Sequence, residues 1–399
     1  MIIDFYIIFI ILFFIYMFRE KKKFLFGSNI NEEFVNYNKD YFIKKKPYYK
    51  YNIKDIKNQE FYYPTLLTNF KFSLEYKFGF EFSKLFNIKF KQTTGLKANL
   101  DRINSEEWSE DTLIGLTTEN ILLKLIEDKL VNRDRVRFVC TLYNLDFILL
   151  SRFDNSINKK LAINSWEDIK IYLDNDKNET YNMGVLNEGT ASNFEYKKLL
   201  RDADIQVDPI HENLNIIDTR NIQDSFNMFE LKLIDSLFLI SYNKNPYIIN
   251  YFKKYFATIT GIEGIQKSLI KKNYNKYQKK KLNSREYTKS IFKKHSSIFH
   301  NNLNITNENK LIKTISSRLI VVAKKELSED YIIKFLRHIY ANNDKLRRNL
   351  NNYMVLPTLP PRDNNMNLFN PIDMSYIDKS ILYHKGARKF YKEIDLIQE

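Results

Sequence analysis

The sequence predicts an α/β fold large enough for two lobes, and three observations carry that expectation. Short apolar runs alternate with amphipathic segments from Phe61 onward, the pattern of largely parallel strands buried on both faces and covered by helices. The chain has 399 residues, 44% of them hydrophobic and 15% aromatic, so it can bury a substantial core in two or three domains or in one fold of two lobes. It holds only 9 glycines and 8 prolines, few for a protein built of tight loops.

The elements follow in order. Phe70-Lys71-Phe72 reads as a strand, Tyr76 to Phe86 as a helix, and Ile88 to Gln92 as a second strand ending in Thr93-Thr94-Gly95. Asn99, Leu100 and Ile103 continue a helix. Leu113 to Thr118 is a short strand, Ile121 to Lys129 an amphipathic helix, and Val136 to Leu142 and Asp146 to Ser151 two further strands. Asn215 to Asp218 is a strand, Asn221 to Lys232 a helix and Ser236 to Ile240 a strand. A basic, tyrosine-rich region from Lys271 to His300 precedes a strand from Leu319 to Ala323. Ser328 to Leu350 reads as a long helix with an apolar stripe of Tyr331, Ile332, Phe335, Ile339 and Leu346, and with Ser328 as N-cap. No internal repeat is visible.

Between these halves lies Tyr181 to Leu200. Met183 to Leu186 is apolar, the turn Asn187-Glu188-Gly189-Thr190 breaks it, and a helix with Phe194, Leu199 and Leu200 follows. The first amides of a helix have no partner inside it and sit at the positive end of its dipole, so such a turn can hold a carboxylate or phosphate. The other reading is that Thr190 or Ser192 caps an ordinary helix. Glu188 favours that reading, because its charge repels an anion.

At the N-terminus, Ile2 to Phe18 is apolar except for Asp4, about the shortest run that crosses a bilayer as a helix. Arg19, Glu20 and Lys21 to Lys23 end it. The positive charge follows the apolar run, the reverse of a cleaved signal peptide, so residues 1–23 are expected to form an uncleaved transmembrane anchor; a buried core helix is the other reading. Residues 24–60, rich in Lys, Asn and Tyr, are expected to be a tether. The basic flank favours a cytoplasmic domain, while sequons at Asn178 and Asn304 matter only in a lumen, so the side of the membrane stays open.

The net charge is +15, but the basic runs are short and scattered, and none belongs to a groove-reading motif. Nucleic acid is therefore not an expected partner. Cys140, the only cysteine, excludes an internal disulfide and reads as a small buried hydrophobe. The five histidines form no ligand pair at helical spacing, so neither a metal site nor a cofactor is expected. No paired-carboxylate, nucleophile–histidine or nucleotide-loop constellation stands out, so the chain is not expected to be an enzyme.

Three stretches, in order, resemble one family. Gln92-Thr93-Thr94-Gly95 with Asn99-Leu100, and then Leu113 to Leu116, are similar to its threonine–glycine turn, asparagine–leucine helix and following strand. Gly184 to Thr190, preceded by Ser165 to Ile169, is similar to its glycine-rich second turn. Leu382 to Glu393, reading LYHKGARKFYKE, is similar to its C-terminal motif. Asp235 to Ile240 and Asn243 to Pro246 also fit. Together they resemble the TAXI-type solute-binding proteins of TRAP transporters. Lys385 stands where that family has proline, Glu188 where it has serine, and Phe72 to Tyr76 where it has a glycine-rich loop.

The resemblance implies a two-lobe type II periplasmic-binding-protein-like fold, here with an N-terminal transmembrane helix. It divides the chain into 61–163 (first part of lobe 1), 164–309 (lobe 2) and 310–399 (return to lobe 1 and C-terminal helices). It implies a non-enzymatic receptor holding a small anionic, carboxylate-type ligand in the interlobe cleft and serving a membrane protein partner. The residues it places at the cleft are Tyr76, Thr93, Thr94, Gly95, Asn99, Thr118, Gly189, Thr190 and Asn243. Capping is the alternative role for Gly189 and Thr190, and core packing for Tyr76. His384, Arg388 and Tyr391 read as a packed C-terminal lock. The competing reading of the whole chain is a membrane-tethered interaction or structural protein that keeps the fold without the ligand.

Overall fold

The computed structural model describes residues 65–71, 73–86, 88–105, 113–152, 163–175, 180–242, 245–254, 257–273, 277–283, 311–342, 345–346, 349–350 and 380–394. The expected anchor and tether, and Asn243, lie outside the described residues. Among the described residues no helix is long and apolar enough to cross a membrane.

The described residues open with a βαβαβ unit: β1 (Thr65–Leu67), α1 (Leu74–Phe86), β2 (Phe90–Lys91), α2 (Leu96–Asn104) and β3 (Leu113–Thr118). Helix α3 (Glu119–Glu127) then leads into β4 (Val136–Arg152). After α4 (Trp166–Asn175) a second βαβαβ unit follows: β5 (Tyr181–Leu186), α5 (Ala191–Asp202), β6 (Leu214–Thr219), α6 (Ile222–Glu230) and β7 (Ser236–Ser241). The remaining elements are α7 (Pro246–Lys254), β8 (Ala257–Thr260), α8 (Lys267–Asn273), β9 (Gln278–Asn283), β10 (Leu311–Lys324), α9 (Glu329–Ala341) and α10 (Lys385–Glu393).

The strands form one sheet in the order β2-β1-β3-β10-β4-β7-β5-β6, with β8 on β4 and β9 on β10. Both βαβαβ units therefore have the same plan. Their first strand lies in the middle and pairs in parallel with the other two, β1 with β2 and β3, and β5 with β6 and β7. The centre of the sheet is antiparallel, which the expectation of largely parallel strands did not include: β10 pairs with β3 and β4, and β4 with β7.

Strand β4 joins the halves. It is a single strand of 17 residues where the sequence pattern suggested two, because Asn144, the polar break in the run, stays in register opposite Arg318 of β10. Its first half contributes Val136, Phe138, Val139, Cys140 and Leu142 to a core shared with Phe78, Leu100, Ile114, Val321 and Phe335. In its second half Phe147 and Leu149 enter one apolar cluster with Trp166 and Val185, while Ile148 and Leu150 enter another with Phe229 and Leu239. A strand's side chains alternate faces, so burial on both faces requires an unbroken apolar run such as Phe147 to Leu150. Strand β10 makes the same crossing, with Ile312 and Ile315 in those two clusters and Leu319 to Ala323 in the first.

Three local readings change. The first strand is Thr65–Leu67, and Phe70 has left it to pack beside Phe226 and Leu239. Ser328 stands at the N-cap of α9, yet its side chain makes no capping bond. That helix ends at Ala341, with Asn342 as C-cap. Cys140 is buried, as its strand setting required, and burial pushes its thiol far up. The C-terminal lock is a backbone and side-chain clasp on β4: the Phe138 amide donates to Leu382 O at 2.9 Å, the His384 amide to Phe138 O at 2.8 Å, and the Tyr391 hydroxyl to Val139 O at 2.9 Å.

Candidate functional site

In an open α/β sheet the crevice forms beyond the carboxyl ends of the strands, where connections from one central strand leave to opposite sides. Strands β1 and β5 are those central strands, and their carboxyl ends, with that of β7, meet around a cavity of about 30 Å³. Asn69, Ser73 and Glu75 line it from the first unit, Thr190 and Ser192 from the start of α5, and Ser241, Tyr242 and Asn245 from the segment after β7. That volume admits one or two waters. Entry of an organic ligand therefore requires the two units to part.

Local sequence explains how the lining is held. Asn221 and Thr190 cap their helices, the Thr190 hydroxyl accepting from the Asn193 amide at 3.2 Å and donating toward Asn187 O at 2.9 Å. The Ser192 hydroxyl accepts from the Ile240 amide at 2.8 Å, which ties α5 to β7. The Asn245 side chain donates to Ser241 Oγ at 2.9 Å and accepts from the Tyr247 amide at 2.9 Å, opening α7. Among the described residues no acceptor receives the amides of Ala191 and Ser192, the first of α5, and both residues line the cavity.

Glu75 is the one acidic side chain among the described residues that line the site. It is 5% exposed, and its two carboxylate oxygens accept separately from Asn69 Nδ2 at 3.2 Å and from the Tyr143 hydroxyl at 3.3 Å. Burial raises its pKa, partly opposed by hydrogen bonds that include those from Asn69, Ser73 and Tyr143. Burial, reinforced by the charge of Glu75, also raises the phenols of Tyr143 and Tyr242. The sequence reading missed Glu75. Its one trace was the replacement of a glycine-rich loop by Phe72 to Tyr76.

Of the nine residues expected at the cleft, Thr190 lines this cavity. Thr94, Gly95 and Gly189 lie beside it, in direct contact across the cleft. Gly189 has φ +90°, open to glycine at low cost, and its carbonyl accepts from the Lys97 amide at 2.9 Å. A Cβ on Gly95 would stand 2.1 Å from that same carbonyl oxygen, so close approach fixes glycine there. The first turn of α2 is thus capped by the opposite unit. Thr93 and Asn99 form a buried network: Asn99 Nδ2 donates to Thr68 O at 3.0 Å and Leu116 O at 2.7 Å, and Thr93 Oγ1 lies 2.7 Å from Asn99 Oδ1. Tyr76 meets Phe90 edge-on at 5.4 Å. Thr118 is buried at the start of α3 with no side-chain capping bond.

A second contact crosses the cleft behind these. Asn120 of α3 donates to Glu195 of α5 at 3.5 Å, and the Tyr277 hydroxyl donates to the same oxygen at 2.9 Å. Glu195 is buried and its pKa raised, chiefly by burial. Next to Asn120, Glu119 pairs with Arg318 of β10 at 2.7 Å. Among the described residues no group of three or more His, Cys, Asp or Glu side chains is arranged to hold a metal ion.

No family model matches the chain, and no curated protein matches it. Solved structures similar to it include MatC of Rhodopseudomonas palustris with bound malate, 11% identical over 84% of this chain and 99% of MatC, with a TM-score of 0.45. Substrate-binding domain 2 of Lactococcus lactis GlnP, in an open conformation, is 11% identical over 75% of this chain and 98% of its own, with a TM-score of 0.34. The amino acid ABC transporter substrate-binding protein AbpA of Streptococcus pneumoniae, bound to L-arginine, is 9% identical over 73% of this chain and 93% of its own, with a TM-score of 0.38.

Proposed function

We propose that the chain is a non-enzymatic solute-binding protein whose two lobes, hinged on β4 and β10, close on a small organic ligand. One observation carries this reading: two βαβαβ units of the same plan turn the carboxyl ends of their central strands toward one cavity of mixed polar and apolar lining. The ligand bears a carboxylate, received by the Ala191 and Ser192 amides at the positive end of α5. The lobes divide near residues 163 and 309. Residues 1–23 anchor the protein in a membrane and 24–60 tether it, so that closure is presented to a membrane partner, as in the TAXI-type proteins that the motifs resemble.

The direct contact of Gly95 with Gly189 supports a second reading, because it fills with backbone the place where a ligand would bridge the helix starts. On that reading the fold serves as a membrane-tethered interaction protein. A thermal-shift screen of the full-length chain against amino acids, dicarboxylates, oxo-acids and phosphorylated metabolites separates the two. A ligand at about a hundred times its dissociation constant adds about 2.7 kcal/mol of stability. A dose-dependent shift that is lost in Thr190→Arg is the expected result. A flat profile on a cooperatively melting protein would leave the interaction reading.

A further inference from the structure

The cavity at the carboxyl ends of β1, β5 and β7 has an uneven charge inventory. Among the described residues its lining includes Glu75 and no lysine, arginine or histidine. Both Glu75 oxygens already accept from neutral donors, and among the described residues Glu75 makes no ion pair. Burial pushes its carboxyl up, since among the described residues no cation offsets the desolvation. Tyr143 on β4 and Tyr242 after β7 face it, and burial holds both phenols neutral.

Resting on the solute-binding reading above, we infer that the interlobe cavity takes a ligand carrying a protonated amine, with Glu75 as its counter-ion. A purely anionic solute entering here meets the Glu75 carboxyl and, among the described residues of the lining, no basic side chain, and like charges in a dry site repel strongly. A ligand amine reverses this. Burying an ammonium is unfavourable unless it is paired and hydrogen-bonded, and Glu75 supplies the pair. The Ser241 hydroxyl and the Tyr242 phenol supply neutral acceptors for its remaining protons. The donors on Glu75, Asn69 and the Tyr143 hydroxyl, hold its oxygens in place from the segment after β1 and from the connecting strand β4, so the counter-ion sits where the two βαβαβ units meet. The open amides of α5 remain for a carboxylate on the same molecule. A zwitterion therefore satisfies both sides of the cavity, and an amine-free dicarboxylate satisfies one.

The test uses matched probes on the full-length chain: L-aspartate against succinate, L-glutamate against glutarate, and 4-aminobutyrate against butyrate, read by thermal shift and titration calorimetry. At least one amine-bearing member is expected to raise the melting temperature with dose while its amine-free partner does not. Glu75→Gln keeps the shape and removes the charge, and is expected to weaken that amine probe by about ten-fold or more. The comparison of matched probes on the native chain does not depend on how the variant folds. Amine-free carboxylates binding as tightly as their partners would overturn the inference and leave the solute-binding reading standing, as would a Glu75→Gln affinity within about two-fold of the native value. No shift from any probe, together with a flat metabolite screen, would remove both.

Discussion

Asn99 provides a sharp test, because the family resemblance places it at a ligand and the structure places it in a network. Its side chain joins three elements: it donates from α2 to Thr68 O after β1 and to Leu116 O in β3, and its oxygen faces Thr93 Oγ1 at 2.7 Å. It is fully buried, so Asn99→Ala strands polar groups that water cannot reach. Each such bond contributes about 1 kcal/mol net, and an abandoned buried partner costs somewhat more, giving a loss of about 3 kcal/mol for the three. For a cooperative unit of 150–250 residues that corresponds to a drop of roughly 6–12 °C in melting temperature. Calorimetric melting of the purified variant reads it directly. A drop below about 2 °C would refute the network argument and return Asn99 to the list of ligand contacts.

Gly95→Ala forces a methyl against the Gly189 carbonyl, so the lobes are expected to part locally and the Lys97 amide to lose its acceptor. Loss of about 1 kcal/mol raises hydrogen exchange at Lys97 about five-fold; unchanged protection there would show that the two turns do not hold one another. The imidazole of His338 is buried, and its pKa is lowered to about 4, mainly by burial and further by Lys334. Below about pH 6.5 the unfolded chain binds a proton that the folded imidazole does not, so this contribution to stability is complete above about 6.5. It is lost progressively as pH falls to about 4, a total of about 3 kcal/mol. His338→Gln should flatten the fall in denaturant-measured stability between pH 7 and pH 4.5, and an undiminished fall would exclude His338 as its source.

Local pattern made much of this protein legible. The apolar run Met183 to Leu186, the Thr190 cap and the amphipathic stripes are set by neighbours within a few residues, so period and capping chemistry report them without a fold. His384 and Tyr391 of the expected C-terminal lock were legible for another reason: they belong to one short segment, while Arg388, grouped with them, is exposed. What sequence could not order was distance along the chain. A polar Asn144 in an apolar run reads as a gap until β10 lies opposite it, and then β4 is one strand joining the two βαβαβ units. Glu75 reads only as part of the stretch Phe72 to Tyr76 that replaces a glycine-rich loop, until Tyr143, 68 residues away, donates to it at the cavity. Gly95 and Gly189 each read as a turn glycine, and only their contact across the cleft makes a side chain at Gly95 impossible. The sequence alone determined the elements and their order, because helix and strand signals are local. Tertiary structure decided which turns meet and which charge is buried between them, because those depend on strand pairings that bring remote residues together.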